Sequence, residues 1–258
     1  MAQRLAAARA AGFDGVELSF TAVGDGPLTM NIEDAELDAL RDLMDSHDLQ
    51  ATSVMGGVLL REASLISADA ATRARGVGNL RRGLRVAARL GADTILVAPS
   101  PLRPEARYDA AFEWFIAALR ELRPDLEATG VGLAVENVWN KFLLSPMEMC
   151  ELIDQVDHPL VGAYFDVGNV VAFGYPQQWL RMLGPRVRRV HVKDFRGGPT
   201  QLGGFCQLMD GDVDWPAVVA ALGAIGYDGY LTSEVSEVDL AETAERIDRI
   251  LALPGSPA

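Results

Sequence analysis

Basic charge is scarce in this chain. Its 258 residues carry 23 Lys and Arg against 36 Asp and Glu, a net charge of −13 at pH 7. That balance argues against a protein that holds a phosphate backbone, because basic side chains supply most of the affinity for nucleic acid. Long hydrophobic runs are missing too, and none approaches the ~18–20 residues of a membrane helix. The N-terminal stretch "MAQRLAAARAAGFDG" is amphipathic and lacks the apolar core and cleavage site of a signal peptide. There are only two cysteines, Cys150 and Cys206, with no metal-type spacing; they read as reduced thiols of a cytoplasmic protein. Linkers, low-complexity segments and charge blocks are absent, so residues 1–258 read as one domain. No Gly-rich phosphate fingerprint follows any strand candidate, which weighs against a doubly wound dinucleotide fold.

What is there is ordinary for a globular protein, 49% hydrophobic and 23% charged residues. Short β-rich apolar runs, at 15–18, 51–57, 94–100, 132–138, 161–169, 187–195 and 230–235, alternate with longer helical patterns. Those patterns cover 3–11, 33–48, 70–90, 108–129, 146–156, 176–183, 215–225 and 239–252. Several strand candidates are apolar on both faces, as in a parallel sheet covered on both sides. A phrase recurs in "AAGFDGVEL", "RLGADTILV", "ATGVGLAVE" and "AIGYDGYLT". A helix ends, glycine turns the chain, and a strand starts. This βα repeat predicts an α/β fold, a (β/α)₈ TIM barrel. The count is eight helices to seven strands, so the barrel is expected to lack its first strand. A gap is then expected between "GVEL" and "YLTSEV", filled by a strand encoded upstream of Met1, by another segment or by a second subunit.

Four strand runs end on a charged or imidazole side chain: Glu136 in "LAVEN", Asp166 in "AYFDVGN", His191 in "RRVHVKD" and Glu234 in "YLTSEV". In a parallel barrel the C-terminal ends of all strands open on one mouth. Any one of these residues alone reads as a helix cap or surface charge. Three carboxylates brought together would repel unless a cation joined them. Three hard oxygen donors and one imidazole suit Mn²⁺, with Mg²⁺, Co²⁺ or Zn²⁺ as further candidates.

"LAVENVWN", "YFDVGN", "RRVHVKDF" and "YLTSEV", in this order, resemble the xylose-isomerase-like barrel superfamily, and within it the sugar (phosphate) isomerase and 3-epimerase branch. The resemblance implies that Glu136, Asp166, His191 and Glu234 hold one divalent metal. It also implies that Glu136 and Glu234 are catalytic acid and base on opposite faces of a bound keto-sugar, working through an enediolate. The expected activity is isomerisation or 3-epimerisation of a ketose or ketose phosphate. The alternative is a lyase or dehydratase acting on a keto-sugar, keto-inositol or 3-keto-glycoside. Asn140, Lys141, Asn169, Lys193 and Arg196 are the substrate-contact candidates, against a plain reading as polar loop residues. Asp194 is the candidate for orienting His191 or its neighbours. Glu17, in "GVELSF", ends another strand and reads equally as structural or ligand-facing. Trp139 and Phe142 read as a wall against a sugar or as loop packing. The partner is a small sugar or sugar phosphate, with a homo-oligomer left open and no nucleic acid or membrane. The related abasic-site endonucleases need a three-zinc site with several histidines; this chain has three histidines in total.

Overall fold

The computed structural model describes residues 1–21, 26, 28–198, 201–235 and 239–254. The chain opens on α1 (Ala2–Ala10) and continues β1 (Gly15–Ser19), α2 (Asp34–Ser46), β2 (Gln50–Met55), α3 (Ala70–Leu90) and β3 (Thr94–Val97). Then come α4 (Tyr108–Glu121), α5 (Arg123–Thr129), β4 (Gly132–Glu136), α6 (Pro146–Val156), β5 (Val161–Asp166), α7 (Val167–Val171), α8 (Pro176–Leu183) and β6 (Val187–Val192). A hairpin of β7 (Asp194–Gly198) and β8 (Gln201–Cys206) precedes α9 (Trp215–Ala224), β9 (Leu231–Ser233) and α10 (Leu240–Leu251).

The helix starts are written in the sequence. Ser145 and Glu148 form a reciprocal capping box at α6, as Glu33 and Glu36 do at α2. Pro146, Pro176 and Pro216 sit in the first turn of α6, α8 and α9, where a missing N–H costs nothing. The repeated glycine of the βα phrase has one cause: Gly12, Gly91, Gly130 and Gly226 all adopt positive φ, which a side chain would disfavour. One expected helix, 108–129, is two. It breaks at Leu122, and α5 restarts with Pro124 in its first turn, where a proline is compatible.

Seven strands pair in parallel in the order β1-β2-β3-β4-β5-β6-β9. Leu133, Val135, Phe165 and Val190 point outward into a layer shared with the helices, while Leu96, Ala134 and Tyr164 pack inside the barrel. Each fully buried aliphatic side chain contributes roughly 1.5–3 kcal/mol. This is a nearly closed TIM barrel without its first strand, as the strand count implies. Among the described residues, β1 and β9 are not paired with each other. Between them runs a cleft of about 610 Å³, lined by Ala8, Phe13, Leu231, Val235, Leu240 and Ile247 among others. Helices α1 and α10 pack beside one another on its outer side. Below, Tyr230 Oη donates to Gln50 Oε1 at 2.7 Å across the seam.

The strand expected over 187–195 is shorter in the barrel. It leaves the sheet at Val192, and from Asp194 the chain builds the antiparallel β7–β8 hairpin over the mouth. The run at 161–169 likewise stops at Asp166, whose side chain caps α7 by accepting from Asn169 N at 2.7 Å.

Candidate active site

Parallel pairing puts the ends of β4, β5, β6 and β9 on one rim. Glu136 is the last residue of β4 and Asp166 the last of β5, and Asp166 stands opposite His191 in the β5–β6 register. Glu234 follows β9 and is kept in line by its N–H donating to Val192 O at 3.1 Å. The four side chains converge, with one ligand atom from each lying within 4.8 Å of the others. His191 Nδ1 is the hub, 3.4 Å from Glu136 Oε1, 3.6 Å from Glu234 Oε2 and 3.8 Å from Asp166 Oδ2.

The orientation of His191 has a cause that lies 174 residues away. Glu17 Oε1 is 2.8 Å from His191 Nε2. Ser53 Oγ and Tyr164 Oη donate to Glu17 Oε2 at 2.6 and 2.9 Å, fixing the carboxylate in turn. In the neutral ring, the form that can ligate a cation, an ionised Glu17 accepts from Nε2–H and leaves the Nδ1 lone pair facing the carboxylates. Nδ1 is buried and has no hydrogen-bond partner. An orphaned buried imidazole nitrogen amid three carboxylates fits a divalent cation, because lone pairs and negative charges at that spacing otherwise repel. Glu136, Asp166, His191 and Glu234 are the residues able to hold one. With a cation bound there, Glu17 would occupy the outer position on the histidine ligand, where a carboxylate sets ring and tautomer.

The electrostatics carry the same strain. Burial pushes Asp166 up to about 7, against the pull of the Lys193 ammonium. Burial also raises Glu136, with His191 opposing. His191 lies well above its ordinary value, since Glu136 and Glu17 outweigh the burial that would lower it. Glu17 is held low because the His191 contacts overcome its own burial. Lys193 Nζ bridges two of the carboxylates, 2.6 Å from Glu234 Oε2 and 3.0 Å from Asp166 Oδ2. Its chain passes Gly168 so closely that a Cβ there would sit 2.6 Å from Lys193 Cγ.

The other sequence candidates divide. Lys193 joins the cluster. Asn140 is buried, and its amide serves the loop: Nδ2 donates to Pro99 O and Oδ1 accepts from Phe142 N, both at 2.9 Å. Asn169 Nδ2 donates to Asn137 O at 2.9 Å. Lys141 is exposed on a left-handed turn, φ 63°. The Arg196 guanidinium donates to Asp210 O beside the hairpin. Asp194 does not touch His191. Its two oxygens accept from the N–H groups of Phe195, Met209 and Val213 and from Trp215 Nε1, which binds the hairpin base to the loop before α9. Phe142 packs inside against Tyr108 and Phe115, whereas Trp139 stands half exposed at the rim.

Sequence reasoning gave Asn137 no role. It clamps two strand tips: its Nδ2 donates to Asp166 O at 2.9 Å, and its Oδ1 accepts from Asp166 N at 2.8 Å. The signal was present in "VENV", where an amide directly follows the strand-end acid. Glu17 was visible as a strand-end acid but not as the partner of His191, since that contact joins the two ends of the chain.

Comparison with known proteins agrees with this architecture. A curated relative from Actinoplanes sp. (strain ATCC 31044 / CBS 674.73 / SE50/110), a 2-epi-5-epi-valiolone 7-phosphate 2-epimerase, is 31% identical over 202 residues, 78% of this chain and 68% of the relative. The crystal structure of a D-psicose 3-epimerase in the presence of D-fructose superposes with a TM-score of 0.80 at 17% identity, covering 99% of this chain and 94% of that one. A 3-keto-D-glucoside 4-epimerase from E. coli superposes with a TM-score of 0.76 at 16% identity, covering 96% and 93%. The sequence pattern of the xylose isomerase-like TIM barrel matches residues 5–252, and the chain belongs to that family.

Proposed function

We propose that this chain is a divalent-metal-dependent isomerase or 3-epimerase of a ketose or ketose phosphate. The observation that carries the reading is the convergence of Glu136, Asp166 and Glu234 on the unpartnered Nδ1 of a buried histidine. The 31% identical relative, itself an epimerase, supports it. A divalent cation of the Mn²⁺ or Mg²⁺ kind would polarise a ketone and acidify the adjacent C–H.

The chain's own residues would do the rest. Glu136 and Glu234 come from strands separated by β5 and β6, so their carboxylates reach the cluster from different sides. One removes the proton from the carbon next to the ketone, giving an enediolate; the other delivers a proton to the opposite face and inverts the centre. Burial keeps the Glu136 proton affinity above that of an ordinary glutamate, which suits a group that must both take and return a proton. The Lys193 ammonium, between Asp166 and Glu234, is placed to donate to an oxygen that gains charge. Glu17 holds His191 in one tautomer. Asn137 keeps the tips of β4 and β5 together.

The test is turnover of ketoses and ketose phosphates in D₂O with Mn²⁺, read by NMR. Deuterium at an inverted carbon is the expected outcome. Loss of water or of an aglycone instead makes the protein a lyase. No solvent exchange with any carbonyl substrate, in a metal-loaded sample, overturns the proposal.

A further inference from the structure

Under the rim of ligand candidates lies a second layer of polar groups, buried and used by no step of the proton transfer. Three strands build it. In β2, Ser53 is 0% exposed and stands opposite Glu17 of β1, placed there by a register shift between Val16 and Glu17. In β5, Tyr164 is also 0% exposed and packs inside the barrel beside Leu96 and Ala134. It lies two residues before Asp166, so strand alternation puts both on the inner face. A buried hydroxyl is costly unless it is hydrogen-bonded. Ser53 Oγ and Tyr164 Oη are 3.1 Å apart, and both donate to Glu17 Oε2. Each has one proton to give. Oε2 is thereby occupied, and Oε1 is left to His191 Nε2 at 2.8 Å. Tyr164 also meets the imidazole itself, with ring centroids 4.3 Å apart and planes at 52°.

Resting on the reading of the cluster as a metal centre, we infer that Tyr164 and Ser53 are positioning residues for His191, acting through Glu17. The two hydroxyls hold the Glu17 carboxylate so that Oε1 alone faces the imidazole. The Tyr164 ring bears on the imidazole and limits its rotation about that contact. Together these restraints aim Nδ1 at the point on which Glu136, Asp166 and Glu234 converge. Glu17 itself is then a support and not a substrate contact. One of its oxygens serves His191, the other serves two hydroxyls, and its side chain is 8% exposed. Packing explains the ring at position 164, since phenylalanine would fill the same space. It does not explain the hydroxyl, which has to be desolvated to stand there. The contact with Glu17 does.

The experiment removes one oxygen at a time. Tyr164→Phe and Ser53→Ala are made in the full chain, each alone and each combined with Glu17→Gln. Mn²⁺ affinity is read by calorimetry. The Nε2–H resonance of His191 is read by NMR in protein labelled with ¹⁵N-histidine, where only three histidines contribute signals. Each single variant should weaken Mn²⁺ binding by about threefold to tenfold, less than the loss of Glu17 itself, because one donor to Oε2 remains. Each should also shift the His191 resonance, in the metal-free protein as well. On the Glu17→Gln background neither should weaken binding much further, the mark of residues acting through one another. Losses that add in full to that of Glu17→Gln would overturn the inference, since the hydroxyls would then act through general packing. So would an unchanged resonance, or Mn²⁺ affinity within about twofold of wild type in either variant. If Tyr164→Phe does not fold, Ser53→Ala carries both measurements. A wild-type protein that binds no divalent cation would refute the metal centre, and the resonance, read without metal, would still decide whether the hydroxyls position His191.

Discussion

The two sides of the acid–imidazole cluster are built differently. On the closed side, Glu136 and Asp166 end strands paired on both edges, and their side chains are 7% and 0% exposed. On the seam side, Glu234 follows a three-residue strand whose outer edge meets no other strand among the described residues, and its side chain is 35% exposed. The closed side is fixed by sheet hydrogen bonds and the Asn137 clamp. The seam side is fixed by one backbone bond to Val192 and by the Lys193 ammonium. A rigid half and a tethered half in one site mean that the same substitution should cost different things on the two sides.

The largest effect expected is on turnover. Glu136→Gln and Glu234→Gln should each lower kcat by about 10²–10⁴-fold, the usual contribution of a positioned acid or base. The two differ in stability: Glu136→Gln removes a buried like charge and should change the melting temperature of the metal-free protein, whereas Glu234→Gln should barely move it. Equal shifts in both would erase the distinction between the sides. The packing contrast comes next. Leu133→Ala, in fully buried β4, should cost about 2–5 kcal/mol in urea unfolding. Leu231→Ala, half-buried on β9 at the seam, should cost about 1 kcal/mol. A similar cost at both positions would mean that the seam is as well packed as the arc.

Smaller still is the effect of the His191 partner. Glu17→Gln should weaken Mn²⁺ binding about 10–100-fold by calorimetry, because the ring loses the acceptor that fixes its tautomer. Unchanged affinity would leave Glu17 a structural group only. The smallest effect is on pH dependence. Asp166 and His191 both hold protons more tightly folded than unfolded, so their contribution is full at low pH and is lost as pH rises, for Asp166 through about 7. Glu17, held low, contributes in the opposite sense, but that gain is complete above its ordinary range. The metal-free protein should therefore melt a few degrees lower at pH 8 than at pH 5. Saturating Mn²⁺ should reverse the trend, because cation and protons compete for the same atoms. A metal-free melting temperature that rises over this interval would show that the cluster is not strained.

Local chemistry was legible to different depths along the chain. Seven barrel strands, the proline and acid signals at helix starts, and the turn glycines are properties of a few consecutive residues, and the chain states them openly. The four strand-end ligand candidates were legible for the same reason: a charge closing an apolar run is visible without a partner. The roles of Asn140, Asn169, Asp194 and Arg196 were not, because each is a polar residue whose meaning depends on which group it meets. Asn140 meets a proline carbonyl, and Asp194 meets four N–H donors, from Phe195, from Met209 and Val213 in the loop before α9, and from Trp215 at the start of α9. The start of the β7–β8 hairpin was hidden at the end of one apparent strand, since "HVKDF" continues the apolar run while the chain has already left the barrel at Val192, and β8 lay outside every strand candidate.

By itself the sequence determined the βα rhythm, the parallel barrel and the rim on which Glu136, Asp166, His191 and Glu234 would lie, because hydrophobic period and turn chemistry act over short range. Only the tertiary structure decided that Glu17 faces His191, that Lys193 bridges the carboxylates and that Trp139 stacks on Phe205. Those contacts join residues up to 174 positions apart. Nothing in the identity of either partner names the other until the closing of the sheet brings them within hydrogen-bond reach.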